Sequence, residues 1–183
     1  MPFTRKTSRK PTRCFISRSQ LAETNWQVTT EMEALGLWSE SLEDVDVCLV
    51  PFSHSCYGWF LPEGNIHIPA FSGALLYDFV SGHHTRLTDV LRHEWAHALA
   101  DRQPQWVENN RFTPAFGGNY EHECRIYSYN PEHHLTAYAA TSPCEDFAET
   151  FHFYLRHKGR LPQRLQKKPE IIRKWKFIAS LTK

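Results

Sequence analysis

"VLRHEWAHALAD", residues 90–101, is the stretch that decides how the rest of the chain is interpreted. It contains the pattern H-E-x-x-H, and residues four apart on a helix lie on one face. His93 and His97 can therefore present ring nitrogens to a single metal ion, while Glu94 lies beside it and can accept a proton from water. A pattern this short also arises by chance, so the surrounding residues must decide between a zinc site and two buried histidines.

The surrounding sequence favours a helix. Apolar residues fall on overlapping faces of it: Leu87, Val90, Leu91, Trp95, Ala98 and Leu99. Thr85 or Thr88 is expected to cap its N-terminus, and a long loop is expected over 102–136. The other predicted elements are helices over 19–35, 143–157 and 169–181 and strands over 45–50 and 64–70. The sequence therefore predicts an α+β fold with a small mixed sheet, an active-site helix and a glutamate-bearing helix.

A catalytic zinc ion needs a third protein ligand and one position open to solvent. The extended pattern H-E-x-x-H-x-x-G-x-x-H is excluded, because Ala100 and Gln103 stand where it requires Gly and His. The strongest candidate lies in 136–155, where Glu145 and Glu149 are four residues apart on a mainly apolar helix. Two carboxylates on such a helix are costly to bury unless a metal ion and its histidines stabilise them.

Glu145 also has a simpler interpretation. Ser142, Pro143 and Glu145 form a capping-box pattern, in which the carboxylate would only satisfy a backbone N–H at the start of the helix. Capping does not account for Glu149 or for the paired histidines, so the role of metal ligand is favoured. Cys144 adjoins Glu145 and as a thiolate would compete for zinc, although an inert thiol is the favoured interpretation.

The stretch "LTAYAATSPCEDFAETFHFYL", residues 135–155, carries a resemblance to known families. It resembles the zinc-site segments of the anthrax lethal factor catalytic domain, of the Mlc titration factor peptidases and of a group of bacterial zinc-binding metallopeptidases. In all of them H-E-x-x-H precedes a Tyr-x-x-Thr-x-x-x-Glu type of stretch. The resemblance spans residues 60–160, is specific at 90–101 and 135–155, and implies a zincin-like metallopeptidase domain of the gluzincin type.

The resemblance also implies roles for individual residues. His93, His97 and Glu145 would bind one Zn²⁺ per chain, and Glu94 would be the general base of peptide hydrolysis. Tyr138, seven residues before Glu145, falls on the tyrosine that stabilises the oxyanion in the lethal factor pattern. A tyrosine of the hydrophobic core is the alternative interpretation of Tyr138.

Two further carboxylates are candidates for orienting the histidines. Glu149 falls on a carboxylate that supports the zinc ligands in the families that the chain resembles. Asp101 lies four residues after His97 and could orient that imidazole, but a charged residue at a helix end is more often solvated. Both remain candidates for contacts behind the metal ligands.

The stretch "NIHIP", residues 65–69, is the predicted substrate-binding element. Ile66 and Ile68 alternate with His67, as in a half-exposed strand. We expect these three residues to form an edge strand against which an extended peptide pairs. A protein or peptide is therefore the expected substrate.

The net charge of +1 conceals an uneven distribution along the chain. Residues 1–22 carry a net charge of +6, residues 23–155 carry −14 and residues 156–183 carry +9. A flexible basic arm is predicted over 1–18 and a single folded domain over 19–183. The basic ends would contact nucleic acid, fold back on the acidic middle or remain solvated, and the absence of a nucleic-acid-binding motif favours the last two.

These observations favour a zinc-dependent metalloendopeptidase. A second hypothesis is a non-catalytic or regulatory protein that keeps the metallopeptidase fold and contacts nucleic acid through its basic ends; a third is an effector exported by a non-Sec route. The sequence has no secretory signal and no apolar run long enough for a membrane helix, so a cytoplasmic protein without a membrane partner is expected. No sequence feature indicates an oligomeric state.

Overall fold

The computed structural model describes residues 15–61, 64–83, 85–121 and 128–182. Within these residues the chain has seven α-helices and a three-stranded mixed sheet, which confirms the predicted α+β class. The helices are α1 (Arg18–Ala34), α2 (Gly73–Val80), α3 (Leu87–Arg102), α4 (Pro104–Val107), α5 (Phe112–Phe116), α6 (Pro143–Arg156) and α7 (Pro169–Ala179). The strands are β1 (Val47–Ser53), β2 (Trp59–Leu61) and β3 (Asn65–Ser72). No helix in this part of the chain is long and apolar enough to cross a membrane.

The start of α3 differs from the prediction. Arg86 occupies the N-cap position and makes no capping hydrogen bond. The hydroxyl of Thr85 instead donates to the carboxylate of Asp78, so the expected threonine cap is wrong. The segment predicted as a loop over 102–136 contains the short helices α4 and α5.

The sheet has the order β1-β3-β2, which makes β3 the central strand. It runs parallel to β1 and antiparallel to β2, so both of its edges are occupied by backbone hydrogen bonds. Ile66 and Ile68 are fully buried in the core, and the ring of His67 stacks on Trp59 at 5.5 Å between centroids. The expectation that Ile66, His67 and Ile68 form a substrate-pairing edge strand is therefore wrong.

α3 lies at the centre of the core. Every residue from Val90 to Ala96 is buried, because the helix is covered on one side by α1 and on the other by α6. Phe147 and Phe151 of α6 are fully buried, and each such side chain contributes about 1.5–3 kcal/mol relative to an exposed one. The packing of α3 against α6 fixes the relative positions of the side chains that the two helices carry.

A buried arginine joins α3 to α1. Nε and Nη2 of Arg92 donate to the two carboxylate oxygens of Glu31 at 2.8 and 2.9 Å. Nη1 of Arg92 donates to Asp89 at 2.8 Å. Removing one partner of a buried ion pair costs about 3–5 kcal/mol, so this contact holds the residue next to His93 in place.

The folded domain begins before residue 19. Ile16 is buried, and its N–H donates to the carbonyl of Ala70 at 2.8 Å. Phe15 forms an isolated β-bridge with Phe71. Residues 15–18, predicted as the end of the basic arm, therefore belong to the fold, whereas residues 1–14 lie outside the described residues.

The basic C-terminal region folds back on acidic residues. Lys174 of α7 is buried, and its ammonium donates to the carboxylate of Asp146. Lys168 lies 3.3 Å from Glu132. For these residues the structure supports the interpretation in which the basic end pairs with the acidic middle of the chain.

Gly58 lies where the segment leading into β2 passes closest to α3. A Cβ at this position would be 2.8 Å from Cδ1 of Ile68, 3.0 Å from Cγ1 of Val90 and 3.3 Å from Cγ of Glu94. Gly58→Ala is therefore expected to lower the free energy of unfolding by about 1–3 kcal/mol, and Gly58→Val by more, because packed side chains must shift. Urea unfolding measures both variants, and an unchanged unfolding free energy in Gly58→Val would contradict this close approach.

Candidate metal centre

α3 supplies two imidazoles that converge. The Nε2 atoms of His93 and His97, one helical turn apart, are 3.1 Å from each other. Both side chains are largely buried, with exposed fractions of 10% and 16%. Two ring nitrogens at this separation are suited to a shared cation.

α6 adds a carboxylate to the two imidazoles. Oε2 of Glu145 lies 3.0 Å from Nε2 of His93 and 3.5 Å from Nε2 of His97, and one ligand atom from each residue lies within 4.8 Å of the others. In a tetrahedral zinc site with bonds of about 2.0–2.1 Å, neighbouring ligand atoms are about 3.4 Å apart. The three side chains therefore have the chemistry and the spacing to hold a metal ion.

The carboxylate of Glu145 is not used to cap α6. The hydroxyl of Ser142 accepts the hydrogen bond from the N–H of Glu145 at 3.2 Å, which caps the helix without the carboxylate. Oε2 of Glu145 is buried and faces only the two imidazole nitrogens, Nε2 of His93 at 3.0 Å and Nε2 of His97 at 3.5 Å, within the described residues. A buried carboxylate oxygen is costly unless it has a positively charged partner, and a cation between it and the imidazoles would provide one.

Glu149 lies behind the first histidine. Its Oε1 is 2.9 Å from Nδ1 of His93. Burial raises the pKa of Glu149, but the nearby imidazoles of His152 and His93 outweigh burial and lower the pKa to about 2. The ionised carboxylate holds a proton on Nδ1 of His93, so a metal ion would bind through Nε2.

The polar network continues beyond Glu149 to residues that the sequence analysis does not single out. His152, three residues further along α6, is buried, and its Nδ1 is 3.9 Å from Glu149. Its Nε2 lies 3.2 Å from Oδ1 of Asp89, which is also the partner of Arg92. The spacing of three residues is a helix-face signal for His152, whereas its contact with Asp89 depends on the packing of α6 against α3.

Tyr120 lies behind the second histidine. Its hydroxyl oxygen is 2.9 Å from Nδ1 of His97. Asp101 is exposed and makes no hydrogen bond with His97, so the expectation that Asp101 orients this imidazole is wrong. The sequence carries no periodic signal for Tyr120, because it lies in the irregular segment after α5.

Glu94 is buried beside the two histidines. Only 6% of the residue is exposed. Burial raises its pKa, while the nearby imidazoles of His93 and His97 act in the opposite direction. The result is a carboxylate that accepts a proton more readily than an exposed glutamate does.

Tyr138 is not a core residue. It begins a short 3-10 helix, Tyr138–Ala140, and 53% of it is exposed. Its ring centroid is 5.6 Å from that of His93. Burial of the hydroxyl, together with the charge of Glu145, raises the pKa of Tyr138, so the phenol remains a hydrogen-bond donor.

An open cleft runs across these side chains. A cavity of about 1120 Å³ and a second of about 560 Å³ meet at His93, Glu94 and Tyr138. Trp59 and Phe60 of β2 line the larger cavity. The candidate metal ligands are therefore accessible to a molecule much larger than water.

Cys144 lines the larger cavity next to Glu145. Its sulfur is 3.0 Å from the hydroxyl of Ser142. Burial, as the largest effect, raises the pKa of the Cys144 thiol. This environment disfavours the thiolate that would compete for a metal ion.

No family model matches the chain, and no curated protein or solved structure matches it either.

Metal binding is expected to release a proton from His93. Burial lowers the pKa of His93, but Glu145 and Glu149 outweigh burial and raise it to about 10, so a metal ion must displace a proton at neutral pH. The zinc affinity should fall by about tenfold for each pH unit below that pKa. Calorimetric titration with zinc in buffers of different ionisation enthalpy measures the released protons.

Glu145→Ala is the control for this titration, because it removes a candidate ligand and should abolish tight binding. Zinc binding with no proton release and no pH dependence would contradict the ionised state assigned to His93.

Proposed function

We propose that the protein is a zinc-dependent metalloendopeptidase with a zincin-like fold of the gluzincin type. The observation that carries the proposal is the convergence of His93, His97 and Glu145, with Glu94 beside them, at the junction of two cavities. Two imidazoles and one carboxylate are a known ligand set for a catalytic zinc ion with one open position. When bound there, zinc supplies Lewis-acid activation of the scissile carbonyl and of water.

Glu94 is the general base in this proposal. Its carboxylate follows His93 in α3 and borders both cavities, so it is within the space where a scissile bond would lie. A raised pKa makes a carboxylate more effective in accepting and returning protons near neutral pH. Glu94 takes a proton from the attacking water and then passes it to the nitrogen of the leaving amine.

Tyr138 is the oxyanion donor. Its ring lies 5.6 Å from that of His93 and lines both cavities, so in the proposal its protonated hydroxyl donates to the negative charge that develops on the scissile carbonyl oxygen. A preorganised donor at this position stabilises the transition state more than the ground state. The half-exposed ring is available to substrate because it is not packed into the core.

The free edge of β2 is the substrate-pairing element. No other strand in the described parts of the chain pairs with the second edge of β2, and Trp59 and Phe60 border the larger cavity. An extended peptide adds to such an edge through backbone hydrogen bonds. This role is proposed for β2 in place of Ile66, His67 and Ile68, which belong to the central strand.

Glu94→Gln tests the general base. The variant is expected to bind zinc as the wild type does but to lose hydrolysis of a peptide library by about 10²–10⁴-fold, because the amide cannot accept the proton. Zinc content by atomic emission and cleavage by mass spectrometry are the measurements. Glu108→Gln, at an exposed glutamate of the same cavity, is the matched control and should keep its activity. Full activity in Glu94→Gln would remove this residue from the mechanism.

Tyr138→Phe tests the oxyanion donor. Loss of one donor to a developing oxyanion lowers kcat by about 10²–10³-fold, with KM and zinc affinity little changed. Tyr129→Phe removes a hydroxyl from another exposed tyrosine and serves as the control in the same steady-state assay. A rise in KM with unchanged kcat would mean that Tyr138 only contributes to substrate binding.

A further inference from the structure

The outer nitrogen of His97 has a phenol as its partner. We infer that Tyr120 is a positioning residue that fixes the tautomer and the ring orientation of His97 for metal binding. The inference rests on the proposed metal site and adds to it a residue from outside α3 and α6. Its basis is the 2.9 Å contact between the Tyr120 hydroxyl oxygen and Nδ1 of His97.

This contact determines which ring nitrogen is available to a cation. A neutral imidazole carries its proton on one nitrogen and a lone pair on the other. When Nδ1 of His97 donates its proton to the oxygen of Tyr120, the lone pair lies on Nε2, the atom that faces His93 and Glu145. Outer partners of this kind commonly fix metal-binding histidines in proteins.

The hydroxyl of Tyr120 is held in place by packing. Its ring meets Phe112 of α5 edge-on at 5.7 Å and Phe147 of α6 edge-on at 6.0 Å between centroids. Both phenylalanines are fully buried, so the ring of Tyr120 is anchored to the core that also holds α6. The position of His97 is therefore coupled to the segment after α5 and not only to its own helix.

The two histidines have partners of different charge. Nδ1 of His93 lies 2.9 Å from the ionised carboxylate of Glu149, whereas Nδ1 of His97 lies 2.9 Å from the oxygen of a neutral phenol. A charged acceptor makes an imidazole more basic than a neutral acceptor does. Tyr120 acts through His97, because its hydroxyl is bonded on the side of the ring opposite the metal-facing nitrogen.

Tyr120→Phe tests the inference, since it keeps the packed ring and removes only the hydroxyl. Zinc affinity, measured by competition with a fluorescent chelator, is expected to fall by about 10–100-fold. In the zinc-loaded protein, the Nδ1 proton of His97 should lose its hydrogen-bonded NMR signal, while that of His93 persists. Saturating zinc should restore most of kcat, because the hydroxyl acts through the orientation of His97.

Tyr154→Phe is the matched control: this buried tyrosine packs against Trp175, and the same chemical change there should leave zinc affinity unchanged. Thermal unfolding of both variants without zinc shows whether the fold is retained. Unchanged zinc affinity and a persistent His97 signal in Tyr120→Phe would overturn the inference alone. Absence of zinc binding by the wild-type protein would overturn the proposed function and the inference together.

Discussion

Ionisable side chains are buried between α3 and α6. The rest of the structure depends on the requirement that each of these side chains has a partner of opposite charge or a hydrogen-bond partner. His93 and Glu94 face Glu145 and Glu149 across a helix interface that is otherwise filled by apolar residues. Each buried charge without a partner would cost several kcal/mol. Imidazole and carboxylate atoms at 2.9–3.5 Å compensate one another, and a divalent cation could replace the proton shared between Glu145 and the histidines. The packing of the two helices must therefore bring these groups within reach of one another.

The charges beyond this centre alternate in sign. The carboxylate of Glu149 is followed by His152, then by Asp89 and Arg92 of α3, and finally by Glu31 of α1. In a region of low dielectric, each group stabilises its neighbours and is costly without them. This arrangement connects the candidate metal ligands to a third helix, so the orientation of His93 is determined by contacts well outside the cleft.

Access to the centre depends on close packing at a different place. Gly58 lets the segment before β2 approach α3, which brings the free edge of that strand to the cleft next to Glu94. Tyr138 reaches the same point from the segment before α6. Glu94, Tyr138 and a strand edge therefore meet at the candidate ligands from three separate parts of the chain, an arrangement that the proposed hydrolysis of an extended peptide would use.

Helical geometry depends on residues that are close in sequence, so the sequence by itself determined three features of the two helices. These are the shared face of His93 and His97, the spacing of Glu145 and Glu149, and the start of α6 at Ser142-Pro143. Contacts between elements distant in sequence were decided only by the tertiary structure. The alternation of Ile66 and Ile68 fits a central strand as well as an edge strand, and only pairing with β1 and β2 distinguishes them. Likewise, proximity along α3 suggests Asp101 as the partner of His97, but Tyr120 occupies that place. The packing of the core brings Tyr120 there, and separation along the sequence does not predict such a contact.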